Sequence, residues 1–135
     1  MATFADIILN NGAATPVAKT FKVKMNDNMA SLWEERSGGI PLGYATLKVQ
    51  TKDTQTVRKV MIWVAIPTLE AVAGANVAGF TPAAKVAYTH RSYHEFILPQ
   101  RGTLDERKNL LAFHTNGLSN ATIKSVVLDG EEITG

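Results

Sequence analysis

Three long stretches of this chain alternate at period two, and little else folds a chain that way except an antiparallel sheet. In residues 57–66, Val60, Ile62 and Val64 fall on one side, and Lys59, Met61 and Trp63 fall on the other. In residues 44–52, Ala45, Leu47, Val49 and Thr51 alternate with Thr46, Lys48, Gln50 and Lys52. In residues 84–98, Thr89, Arg91, Tyr93 and Glu95 alternate with His90, Ser92, His94, Phe96 and Leu98. The polar link "KDTQT" between the first two runs in chain order predicts a hairpin. Pro67 is expected to end the strand it follows, since it offers no N–H to a ladder, and Pro99 closes the last strand.

Shorter elements precede these runs. Phe4–Leu9, the turn signal Asn11-Gly12 and the alternating residues 17–25 predict an N-terminal hairpin, broken by "NDN" at 26–28. Residues 30–35, with Trp33, read as a short strand, and "RSGGIPLG" as a connection. The small-residue segment from Thr68 to Pro82 reads as an extended loop.

After Pro99 the period changes. Thr103 with Glu106 three residues on is a capping-box pattern, and Asp105 and Glu106 suit the positive end of a helix. Leu104, Leu110 and Leu111 share a helical face, and Gly117 is placed to end the helix. Ser119 is placed to cap a second short helix with Ile123, Val126 and Val127 inward; a strand fits those β-branched residues nearly as well. Strands followed by helices make an α+β fold on an antiparallel sheet. With 135 residues, one domain is the expectation, divided into a hairpin (1–28), a sheet (29–99, with the loop 68–82) and helices (103–128). Two short helices are a small roof for such a sheet, so burying the remainder against a second copy is the simplest remedy.

Composition excludes some chemistry. There is no cysteine, hence no disulfide, thiolate metal site or cysteine nucleophile. No apolar run reaches bilayer length, and no basic segment precedes an apolar one at the N-terminus, so the expectation is a soluble chain with no membrane partner. A formal charge of +2 does not by itself imply nucleic acid, so the placement of the charges matters more. His90 and His94 lie on one strand face rather than at helical ligand spacing, and "HRSYHE" lacks the order and helix of a zinc-protease motif. Packing or hydrogen bonding accounts for them better than catalysis or a metal. Neither a P-loop nor a "GxSxG" elbow is present. The enzyme alternative would need His90, His94 and Glu95 in one cleft.

The polar sheet face is the stronger signal. With the three long strands as neighbours, Thr46, Lys48, Gln50, Lys52, Lys59, Met61, Trp63, Arg91, Tyr93 and Glu95 share it. Lys and Arg neutralise phosphates, while Trp and Tyr stack unpaired bases. The competing account is the ordinary solvated face of an antiparallel sheet, against which Trp63 at a strand centre weighs.

The segments "TFADIILNNG", "SLWEERS", "RKVMIWVAIP", "RSYHEFILP" and "DERKNLLAFHTNGL", in this order and spacing, resemble the coat proteins of the small single-stranded RNA phages, the leviviruses. The resemblance implies an N-terminal hairpin, a five-stranded antiparallel sheet and two C-terminal helices interlocking with a partner subunit. It further implies a homodimer that builds an icosahedral shell in the host cytoplasm, with a structural role in the virion and no enzyme activity, cofactor or metal. The helix-free sheet face would meet genomic RNA. In relatives that face also binds a hairpin at the replicase start and represses translation. By position the resemblance places Thr46, Lys48, Gln50, Lys59, Met61, Trp63, Arg91, Tyr93 and Glu95 on that face. This chain departs from the family's operator binders at Met61 and Trp63, where they carry polar residues. The loop 68–82, with Gly74 and Gly79, corresponds to the family's loop at the symmetry axes. A dimeric RNA-binding module that builds no shell is the alternative.

Overall fold

The computed structural model describes residues 4–27, 29–71 and 83–135. Six strands and two helices follow in chain order: β1 (Ile7–Asn10), β2 (Ala18–Asp27), β3 (Ala30–Glu35), β4 (Ala45–Asp53), β5 (Val57–Leu69), β6 (Val86–Pro99), α1 (Leu104–Ser119) and α2 (Ala121–Asp129). The chain forms two compact units, Met1–Ile97 and Leu98–Gly135.

The first unit is a sheet in which spatial order equals chain order, β1 to β6. It has six strands, not five. The N-terminal hairpin is no separate element, because β2 pairs with β1 on one edge and with β3 on the other. A bulge between Val23 and Met25 adjusts the second pairing. The predicted break at "NDN" falls later than expected, since β2 runs through Asp27, which pairs with Ala30. Pro67 does not end β5, which continues to Leu69. The β4 ladder stops at the Thr46–Ala65 pair, so Pro67 removes no bond from it. Just past the end of β5, the Glu70 N–H reaches the Lys85 carbonyl at 2.9 Å. Gly74 and Gly79 of the expected loop lie outside the described residues.

Alternation places the core on one face. Phe21, Trp33 and Leu47 are buried there, packed by Phe4, Ile7, Val23, Ala45, Val49, Ile62 and Val64. The register sets Trp33 between Val23 and Leu47, and Leu47 opposite Val64. The chain ahead of β1 pads this face: the Phe4 ring meets Trp33 edge-on at 5.3 Å, and Trp33 Nε1 donates to the Ala5 carbonyl at 2.8 Å.

The second unit holds the helices. The capping box at Thr103 is present, with Glu106 N–H donating to Thr103 Oγ1 (3.3 Å) and Thr103 N–H to Glu106 Oε2 (3.0 Å). Gly117 does not end α1, which runs two residues further. Ser119 does not cap α2 either; its hydroxyl donates back to the Thr115 carbonyl at 3.3 Å. Asn120 does both jobs. Its N–H donates to the Gly117 carbonyl, and its side-chain oxygen accepts from Thr122 N–H at 3.0 Å. The segment left open between helix and strand is therefore helical, closed by Gly130 in the left-handed region (φ 67°). Thr103→Ala should destabilise α1 by about 1 kcal/mol through loss of the cap, read as a lower thermal midpoint at unchanged helix content.

Candidate nucleic-acid interface

The β4–β5 register decides which side chains meet. Thr46 pairs with Ala65, Lys48 with Trp63, Gln50 with Met61, and Lys52 with Lys59. Directly paired residues share a face, so the polar set of β4 and that of β5 combine into one surface opposite the Leu47 core. The neighbouring β6 adds Tyr93 and Glu95 to it by contact. Arg91, at the same parity as these two, is exposed.

Two features organise this surface. The first is a line of π contacts: Lys48 Nζ sits 5.0 Å from the Trp63 ring centroid, and the Tyr93 ring lies 5.2 Å from Trp63, tilted by 38°. A cation over an indole and a pair of neighbouring rings are each mildly attractive, so the stripe is arranged before any ligand arrives. Trp63 is half-buried between its neighbours rather than fully solvated, and Tyr93 is the more open ring at 49% exposure. The second is a carboxylate, Glu95. Its Oε2 accepts the Tyr93 hydroxyl at 2.7 Å, and its Oε1 lies 3.7 Å from Lys59 Nζ. The bond to Glu95 raises the Tyr93 hydroxyl above its ordinary pKa. Glu95 also offsets the unfavourable meeting of Lys52 and Lys59 directly across the ladder.

The face extends further than the three long strands. Ala30, Leu32 and Glu34 of β3 pair with Gln50, Lys48 and Thr46 and so belong to it. Burial pushes the Glu34 carboxyl up, but Lys24 (3.1 Å) and Arg36 (2.8 Å) outweigh this and hold it below its usual range. The alternation of "SLWEE" around Trp33 carries the signal for this extension.

Glu95 and the two strand histidines are not brought together. In an extended β6, residues of opposite parity point to opposite faces, so His90 and His94 lie away from Glu95. The Tyr88 ring meets His90 edge-on at 5.5 Å. Among the described residues there is no group of three or more metal-capable side chains, and no helix is long and apolar enough to cross a membrane.

Compared with known families, residues 2–133 match the levivirus coat protein family. The chain belongs to this family. Solved structures agree with the assignment. The coat protein is 28% identical to a chain of the virus-like particle of bacteriophage ESE058, covering 98% of this chain and 100% of that one, with a TM-score of 0.91. For the virus-like particle of bacteriophage NT-214 the identity is 26%, the coverage 98% and 100%, and the TM-score 0.86. The virus-like particle of Beihai levi-like virus 21 shares the fold at 20% identity, with coverage of 99% and 100% and a TM-score of 0.83. Comparison with curated proteins gives no match. The coat protein therefore has a structural role in a phage capsid, and its place is the virion.

Proposed function

We propose that the coat protein pairs with a second copy through its helices and the outer edge of β6. These dimers build an icosahedral shell, and the face bearing Lys48, Trp63 and Tyr93 holds single-stranded RNA inside it. On this reading the whole chain works as one coat domain, assembling in the bacterial host cytoplasm. One observation carries the pairing. Neither α1 nor α2 buries a single residue, although Phe113, Val127 and Leu128 are apolar and each about three-quarters exposed (75%, 73% and 76%). Helices of this composition are stable when their apolar faces are packed. The sheet argues the same way, because β6 is a 14-residue strand at the end of the strand order and so a template for another strand.

For RNA, support comes from cations interleaved with rings on the face away from the core. Lys48, Lys52 and Arg91 would take phosphates while Tyr93 and Trp63 take bases, with Thr46, Gln50 and Met61 filling between them. A free dimer would offer the same face to a hairpin at the replicase start and repress its translation. Met61 and Trp63 would make its choice of hairpin differ from that of relatives with polar residues there.

Expressed alone, the protein should elute as particles containing nuclease-protected RNA and appear as shells by negative-stain microscopy. A stable monomer of 14.6 kDa would overturn the pairing, and discrete dimers without shells would favour the RNA-module alternative. Tyr93→Ala and Trp63→Ala should each weaken single-stranded RNA binding by about 1–3 kcal/mol, measured by titration of RNA-free protein.

A further inference from the structure

A carboxylate on a face proposed to bind phosphates calls for an explanation. Glu34 of β3 also lies on this face, held by Lys24 and Arg36, but among the ten residues assigned from the long strands Glu95 is the one anion, and it touches both kinds of RNA-directed group, a cation and a ring. The ion pair with Lys59 adds little to stability, since the two side chains remain 39% and 30% exposed and water screens them. Its consequence falls on the ligand instead. A phosphate approaching Lys59 meets a cation that already has a partner, and must either displace Glu95 or sit beside a second negative charge.

We infer that Glu95 is an internal rival to phosphate: it withholds Lys59 from the RNA backbone and leaves recognition to the Lys48–Trp63–Tyr93 stripe. The inference rests on the RNA-facing reading of this surface and assigns one residue its part in it. Net phosphate neutralisation then comes from Lys48, Lys52 and Arg91, and Lys59 contributes no released counterion. The face discriminates against bare polyanion, because binding has to be completed by bases on the rings. Glu95 is a specificity-determining residue on this account.

Glu95→Gln separates charge from placement. The amide oxygen still accepts the Tyr93 hydroxyl, so the ring stays put, while Lys59 is released. Binding of a single-stranded oligouridylate to RNA-free coat protein is measured from low to high salt. For single strands each neutralised phosphate adds about 0.7 to the slope of log affinity against log salt. Glu95→Gln is therefore expected to steepen the slope by about 0.7 and to tighten binding about fivefold at 0.1 M salt. Lys59→Ala alone should leave the wild-type slope unchanged, and Lys59→Ala added to Glu95→Gln should cancel the gain. A fold defect would not steepen a salt slope, and particle yield checks folding independently. An unchanged slope in Glu95→Gln would overturn the inference, as would a slope flattened by Lys59→Ala in the wild-type background. If neither wild type nor Glu95→Gln binds RNA, the RNA face itself is wrong and the inference falls with it; wild-type binding alone separates the two failures.

Discussion

Phe113→Asp is expected to abolish particle formation. Phe113 is 75% exposed within one chain. Were that its final environment, the exchange would change stability by no more than about 0.5 kcal/mol. If a second subunit covers α1, the substitution places a carboxylate where a ring packs. It then forfeits about 1.5–3 kcal/mol of apolar burial per subunit and adds the larger cost of an unpaired buried charge. Each dimer carries the lesion twice. Size-exclusion chromatography and negative-stain microscopy should show no shells, with the product aggregated or in small species. Normal particles from Phe113→Asp would mean that the exposed helix face stays open to solvent, and the proposed pairing would fail.

Trp33→Ala should be nearly as damaging, for a different reason. Trp33 is 7% exposed, holds the Phe4 ring, lies between Val23 and Leu47 and donates to the Ala5 carbonyl. Truncating a buried aromatic costs about 3–5 kcal/mol, against a total of about 5–15 kcal/mol for an ordinary domain. Because so few side chains are buried among the described residues, no neighbouring core takes up the loss. The expected result is little soluble protein at growth temperature. Trp33→Phe keeps the ring contact and loses the indole bond, a cost of about 1 kcal/mol, and should still assemble with a lower denaturation midpoint. Equal midpoints for wild type and Trp33→Ala would show that the Phe21–Trp33–Leu47 cluster is not the core of this unit.

What the sequence made legible follows from periodicity. Alternation in 44–52, 57–66 and 84–98 fixed the faces correctly, because parity survives small errors in strand ends. The Lys48–Trp63 and Gln50–Met61 pairs confirm that the two polar sets coincide. Ends were less legible, since they depend on neighbours. Pro67 stops a strand only where a ladder needs its N–H, and the β4 ladder stops first. Gly117 is a plausible helix stop until Asn120 offers both a cap and a turn. The resemblance implies a hairpin apart from a five-stranded sheet, whereas β2 pairs on both edges and joins the hairpin to four further strands in one sheet of six. At the candidate site, residue types and sides could be read in advance. The Lys59–Glu95 pair could not, because it depends on how β5 and β6 meet, and no local pattern encodes that.

The succession of strands has a kinetic consequence. Each strand pairs with the one made just before it, so no pairing waits for a distant segment, and loop closure remains inexpensive for a β protein. On the ribosome the ladder can grow strand by strand in order of emergence. The helices, with their exposed apolar side chains, come after it in the chain. The exposed apolar surface of α1 and α2 is thus synthesised last, which shortens the interval in which a nascent subunit is prone to aggregate.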